Sequence, residues 1–349
     1  MTHYITYSKN VFIPVTNVCR NSCAYCGFRR APDDGEARIM SRNEVENILI
    51  QGKKAGCTEA LFTFGERPEE FDSFRTRLEA FGYERIIDYV KDLSEMAVSI
   101  GLLPHTNAGI MGIRELKLLK PLNASMGLML ETVSEIEAHS NCEGKKPQLR
   151  IQTIEDAGRL KIPFTTGLLI GIGESKESRQ ESLEAIASIH KRYGHIQEVI
   201  IQNFLPKPNT AMADHKPAPF FEMVETITTA RKILPPDVTI QVAPNLIEPH
   251  RLILAGARDL GGISPVTDDH INPEACWPTI RELENIVDSV VKSCGKNFML
   301  KERLPVYPQY IEKGWYGSKV KNIIESLVDE DGYVSDVVDV SYTNYKRKL

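Results

Sequence analysis

The strongest constraint on the fold of this chain is an alternation. Short apolar, β-branched-rich runs recur along it, and each is followed by a longer segment with apolar residues at helical spacing. The strand-like runs are "NVFIPVT" (10–16), "EALFTF" (59–64), "LLPHT" (102–106), "ASMGLML" (124–130), "PFTTGLLIG" (163–171), "QEVIIQNF" (197–204), "VTIQVA" (238–243) and "GGIS" (261–264). Between them lie helical stretches such as "SRNEVENILIQGKKAG", which Ser41 and Glu44 open as a capping box, "YERIIDYVKDLSEMAVSIG", "SRQESLEAIASIHKRY" and "TIRELENIVDSVVKS". Eight such units with no low-complexity linker predict a single α/β fold, the (β/α)8 TIM-type barrel. A doubly wound sheet with a second domain is the alternative. The 349 residues suffice for either. The expected division is a barrel over 1–315 and a C-terminal extension, helix and tail, over 316–349.

A barrel carries its chemistry at the C-terminal ends of its strands. Unusual residues collect there. A cysteine cluster follows the first strand, "GERPEE" the second and "NAG" the third. Glu131 ends the fourth, "GIGES" ends the fifth, and "LPKPNT", "PNLIEPH" and "PVTDDHINPE" follow the last three.

The cysteine cluster, "VTNVCRNSCAYCGF", holds Cys19, Cys23 and Cys26. Three thiolates in one loop suit soft metals: zinc, copper(I) or an iron–sulfur cluster. A structural zinc site wants four ligands, and no second Cys or Cys/His pair follows. The positions could also line one helix face, although the intervening "RNS" and Gly27 are poor helix material. On a four-iron cube, three cysteines leave one iron without a protein ligand, and an open position is what a catalytic metal needs. Of the other cysteines, Cys57 and Cys294 read as core or surface thiols. Cys142 and Cys276 fall in loops with no sequence neighbour to complete a second cluster, so one cluster is expected.

The formal charge of −5 is small for this length, and the basic residues are dispersed except in the terminal "YKRKL". No nucleic-acid or membrane-surface footprint follows from that pattern. The N-terminus lacks the features of a signal peptide, and no run of apolar residues is long enough to span a bilayer. A cytoplasmic, soluble protein is expected.

The spacing C-x3-C-x-aromatic-C after a first barrel strand resembles the radical S-adenosylmethionine (SAM) superfamily. The resemblance implies one 4Fe–4S cluster on Cys19, Cys23 and Cys26, with SAM chelating the open iron and Tyr25 packed over the cluster loop. Gly65-Glu66 resembles the Gly-Gly-Glu motif that holds the SAM amino group, with Phe64 in place of its first glycine. Glu131 resembles the carboxylate that binds the ribose hydroxyls. "GLLIGIGE", carrying Gly167, Gly171 and Glu174, resembles the GxIxGxxE pattern at the adenine side.

Within that superfamily, seven blocks between about residues 7 and 315 resemble the small-subunit family of deazaflavin (FO) synthase. The family's pattern has Trp where Leu260 stands and Pro where Cys276 stands. The resemblance implies a hydrogen abstraction from an adduct of a hydroxybenzyl group with a ribitylamino-uracil, then ring closure and loss of ammonia. The enzyme would be a carbon–nitrogen lyase. The adduct would come from a companion radical SAM subunit, and the electron from a reductant such as ferredoxin or flavodoxin. Neither nucleic acid nor membrane is an expected partner. Another small-molecule radical SAM barrel, or a zinc-stabilised binding module, is the competing reading.

A phenol, a uracil edge and a polyol together demand convergent polar groups inside an apolar barrel mouth. By position the candidates for substrate contact are His105, Asn107, Gln202, Asn203, Asn245 and Thr267. Asp268, Asp269 and His270 are the candidates for acid–base work.

Overall fold

The computed structural model describes residues 3–335. The "YKRKL" tail lies outside the described residues. Nine parallel strands form one sheet: β1 (His3–Ile13), β2 (Glu59–Thr63), β3 (Leu103–Asn107), β4 (Ser125–Gly127), β5 (Phe164–Ile170), β6 (Ile196–Asn203), β7 (Thr239–Gln241), β8 (Asp259–Ile263) and β9 (Phe298–Glu302). β1 pairs with β2 through Asn10–Ile13 and with β8 through Thr6–Lys9, so strands one to eight close into a barrel. Closure leaves none of the eight barrel strands as an edge, and β9, paired only with β1, is the one edge strand of the sheet. The alternation seen in the sequence is thus the barrel, and the doubly wound alternative is excluded.

The helices cover the outside. Ser41 caps the helix Arg42–Lys54 with the expected Glu44 reciprocating, and Thr279 with Glu282 does the same for Ile280–Cys294. Helices at Asp72–Glu79, His250–Ala255 and Pro308–Glu312 were not foreseen. The second and third are less than two turns long, too short to display a period.

The first strand starts seven residues before its predicted beginning, and β9 was not predicted at all. Both differences have one cause. Residues His3–Tyr7 pair with Phe298–Glu302 below the closed barrel. There the inward side chains are polar: Thr6 bonds Asp259 and, just beyond, Ser8 bonds Glu59. Polar inward residues erase the apolar run that marks a buried strand.

The main core lies between the barrel wall and its helices, with Phe62, Phe74, Phe164 and Tyr89 among its largest wholly buried side chains. A second cluster joins Leu103 and Ala124 of the barrel to Leu304, Tyr310, Val320, Ile324 and Leu327, the last two on the helix Lys321–Leu327. Among the described residues no helix is long and apolar enough to cross a membrane.

Candidate active site

The predicted strand-end residues converge on one mouth. A cavity of about 250 Å³ is lined by Cys19, Cys23, Tyr25, Cys26, Gly65, Glu66, Asn107, Glu131, Gln202 and Asn203. A second cavity of about 220 Å³ runs down inside the barrel and is lined by His105, Asn107, Gln202, Asn245 and Asp269. The two share Thr63, Asn107, Gln202, Ile271 and Asn272 as walls.

The cysteine loop is irregular rather than helical, which removes the helix-face reading. All three thiols line the same cavity. Among the described residues no group of three or more His, Cys, Asp or Glu side chains closes on a single metal ion. The donor set facing the cavity is therefore three thiols, one short of the four ligands of a structural zinc site. A fourth thiol stands beside them: Cys142, whose Sγ donates to the Ser140 carbonyl, lies close enough to Cys23 to lower the Cys23 pKa together with the Lys145 cation, against the opposing effect of burial. Burial pushes Cys19 up to about 11. Sequence spacing gave no hint that Cys142 sits here, because the loop after β4 brings it in. Cys57 is buried, Cys294 half-buried and Cys276 exposed.

Gly65 is required by contact. Any Cβ there would overlap the Val18 carbonyl and come within 2.9 Å of the Cys19 Cβ. Next to it, the Glu66 carboxylate accepts from Arg20 Nε at 2.8 Å and from the Ile110 amide at 3.0 Å. Gly109 and Gly144 both leave the space that this carboxylate occupies. Phe64, at the departure from the glycine pair, lines the same cavity.

Glu131 has φ of 68°, a left-handed conformation that costs a non-glycine residue energy and concentrates at functional sites. Its side chain pairs with Lys145 Nζ at 2.6 Å. Burial would raise its pKa, but Lys145 and Arg150 outweigh that and hold the carboxyl below its ordinary range. Tyr25 is fixed by His139, with its hydroxyl 3.0 Å from Nε2 and the rings edge to face.

The remaining candidates divide. Gly167, Gly171 and Glu174 do not line either cavity. Gly167 lets β5 approach β6, since a Cβ would overlap the Ile200 backbone. Glu174 accepts from the amides of Gly171 and Ile172, both at 2.8 Å, and pairs with Arg179. Asp269 accepts four hydrogen bonds, from the Ile271 and Asn272 amides and from the side chains of Asn245 and Asn272. Thr267 accepts from the Phe12 amide at 3.0 Å, and Asp268 is exposed beside it, both lining a separate shallow pocket. His270 packs against the Phe12 ring. The Oδ1 atoms of Asn203 and Asn245 are buried without a hydrogen-bond partner among the described residues.

Sequence reasoning missed Asn10, Glu59, Thr165, Glu198, Gln241 and Arg303, which line the inner cavity. They lie inside strands or beyond β9, away from the strand ends where chemistry was sought.

Residues 13–186 match the model of the radical SAM superfamily. The chain is 58% identical over 333 residues to 7,8-didemethyl-8-hydroxy-5-deazariboflavin synthase of Methanococcoides burtonii, covering 95% of this chain and 98% of the relative. It is 51% identical to the protein of that name from Archaeoglobus fulgidus, covering 94% and 98%. This chain belongs to the 7,8-didemethyl-8-hydroxy-5-deazariboflavin synthase family of radical SAM proteins. Membership of the superfamily implies a 4Fe–4S cluster and SAM, and the three thiols, the glycine-flanked Glu66 and the strained Glu131 around one cavity fit that pair. The FeFe-hydrogenase maturase HydG from Carboxydothermus hydrogenoformans has the same fold, with a TM-score of 0.66 at 16% identity over 93% of this chain and 79% of that one. Methylornithine synthase has it too, with a TM-score of 0.61 at 18% identity over 85% and 83%.

Proposed function

We propose that this chain closes the deazaflavin ring of FO. Its substrate is 5-amino-5-(4-hydroxybenzyl)-6-(D-ribitylimino)-5,6-dihydrouracil, and as a carbon–nitrogen lyase it releases ammonia. The supporting observation is the junction of the two cavities: a molecule seated in the barrel meets the thiol-lined cavity across Thr63, Asn107 and Gln202.

When bound, a reduced cluster with SAM supplies a hydrogen-abstracting carbon radical. The chain's own residues do the rest. Cys19, Cys23 and Cys26 would hold the cluster. Glu66, with the tight approach at Gly65, takes the SAM amino group, and Glu131 takes the ribose hydroxyls. Gly167, Gly171 and Glu174 act through shape, by holding the turn at the end of β5.

Asn107 and Gln202 orient the reacting part of the substrate at the junction. The unpaired carbonyl oxygens of Asn203, in the thiol-lined cavity, and Asn245, in the inner cavity, await donors on either side of it, such as the uracil N–H groups. Asp269 and Thr267 are positioning residues: one fixes Asn245 and Asn272, the other ties the loop after β8 to β1. Asp268 and His270 stand outside the substrate contacts. Phe12, Leu61, Ile200 and Leu246 give the barrel an apolar waist that keeps water from a carbon radical. A companion radical SAM subunit supplies the adduct, and a ferredoxin or flavodoxin supplies the electron.

The test is anaerobic reconstitution with iron and sulfide, followed by addition of SAM, a reductant and the synthetic adduct. Fluorescent FO formed together with 5′-deoxyadenosine is the expected result. Cleavage of SAM without FO would move the chain to another small-molecule reaction of the superfamily.

A further inference from the structure

The inner cavity has a polar floor that the reaction at its mouth does not use. On β2 the residues Glu59, Leu61 and Thr63 all line the cavity, and on β6 so do Glu198, Ile200 and Gln202. Alternate residues of a strand face the same side, and four residues of strand advance ~13 Å. Each strand therefore reads polar at the floor, apolar at the waist and polar at the mouth.

The lowest layer satisfies itself. Arg303, buried, donates to Asp259 at 2.6 and 2.9 Å and to Glu198 at 2.9 Å, and Tyr307 donates to Glu198 at 2.7 Å. Above it Glu59 accepts from Ser8, and the Gln241 amide nitrogen, once the amide is turned over, donates to Glu198 at 3.1 Å, but Asn10 and His105 keep an open acceptor each. The Oδ1 of Asn10, a residue 1% exposed, is buried with no hydrogen-bond partner among the described residues. A buried acceptor left without a partner is costly, which argues for a partner that arrives from outside. Ser125 Oγ donates to the Pro305 carbonyl at 2.5 Å, so it accepts from His105 Nδ1 at 2.7 Å. That chain leaves His105 Nε2 as a bare acceptor. Burial and the Arg303 charge keep the ring neutral, with its pKa lowered to about 3.

Glycines make the room. A Cβ at Gly127 would come within 2.9 Å of His105 Nε2, one at Gly261 within 2.5 Å of the Gln241 amide, and one at Gly262 would overlap the Asn10 amide. Three glycines on β4 and β8 thus accommodate three polar side chains in the barrel interior, where a packed barrel would place apolar residues.

We propose that this floor, Asn10, Glu59, His105 and Gln241, is the seat of the substrate's polyol chain. Closely spaced donors and acceptors in a half-enclosed well match a run of hydroxyl groups, each of which both donates and accepts. A phenol, with one hydroxyl on an apolar ring, belongs at the waist. Seating the chain on the floor holds the rings at the level of the cavity junction, so the polyol positions the reacting carbon although it takes no part in the chemistry. This inference rests on the ring-closing reaction proposed above.

The test compares the adduct with a shortened analogue carrying a methyl group in place of the ribityl chain, in the parent and in Asn10→Leu. The parent is expected to show KM for the analogue raised at least ~10-fold, as loss of one or more buried hydrogen bonds requires. Asn10→Leu is expected to raise KM for the full adduct by a similar factor and to leave KM for the analogue unchanged. Its thermal midpoint should not fall, since leucine removes an unpaired amide, and its iron and sulfide content should match the parent. A drop in stability, or equal KM changes for both substrates, would make Asn10 structural and overturn the inference alone. A parent that forms no FO from the full adduct would remove the proposed reaction and this inference with it.

Discussion

Single residues of this molecule carry distinct physical burdens, and Gly65 carries the heaviest steric one. Gly65→Ala would drive a methyl group into the Val18 carbonyl and against Cys19, an overpacking cost of ~1–3 kcal/mol placed on the cluster loop itself. Iron and sulfide analysis after reconstitution should find most of the cluster missing while far-UV circular dichroism stays near the parent's. Glu59 carries an electrostatic burden instead. Burial raises its pKa from 4.5 to about 7 despite the hydroxyl of Ser8. The folded chain then holds this proton more tightly than the unfolded chain does. The associated stability is complete below the ordinary carboxyl range and is lost as pH rises through about 7, at a cost of ~3 kcal/mol once the group is charged. Glu59→Gln is free of that loss. The thermal midpoint of the variant relative to the parent should climb from about pH 5 to about pH 8, and a constant difference over that range would show Glu59 to be ordinary.

At the scale of elements, the segment that β9 delivers into the barrel has the largest consequence. Arg303 follows β9 directly and bridges Asp259 of β8 to Glu198 of β6. Breaking one side of a buried ion network leaves uncompensated charge, which costs ~3–5 kcal/mol. Arg303→Leu should lower the urea midpoint by that equivalent, and a shift below ~1 kcal/mol would mean that the carboxylates find water or protons instead. This element was also the least legible in the sequence. The eight barrel strands could be read from apolar runs, and seven helices from period and caps such as Ser41 and Glu44. β9 is a short edge strand with Met299 half exposed, and the part of β1 it pairs with turns Thr6 inward, as Ser8 does just beyond it. Nothing in a window of sequence distinguishes such a segment from a loop, because its partners are polar groups almost three hundred residues away. β4 is shorter than its apolar run suggests for a local reason: Glu131 takes a left-handed conformation just after it, and only isolated hydrogen bonds to β5 continue.

For the whole molecule, closure of the barrel separates the fold from the cofactor. The strands are hydrogen-bonded around the full ring and the core lies between barrel and helices, so the fold is expected to survive loss of the cluster. Stripping iron with a chelator under oxidising conditions should abolish both SAM cleavage and FO formation while leaving far-UV circular dichroism and most of the thermal stability in place. Loss of the folded signal together with iron would make the cluster a structural element. The sequence by itself determined the strand–helix alternation, the three thiols with no fourth beside them, and the order of motifs at the strand ends, since each is a local pattern that a few neighbouring residues define. Only the tertiary structure decided that Cys142 stands beside Cys23, that Asp269 spends its lone pairs on the loop, and that Asn10, Glu59, His105 and Gln241 face one another across the barrel floor. Those relations join distant segments through closure of the sheet, and a linear pattern carries no record of which inward-facing positions will meet.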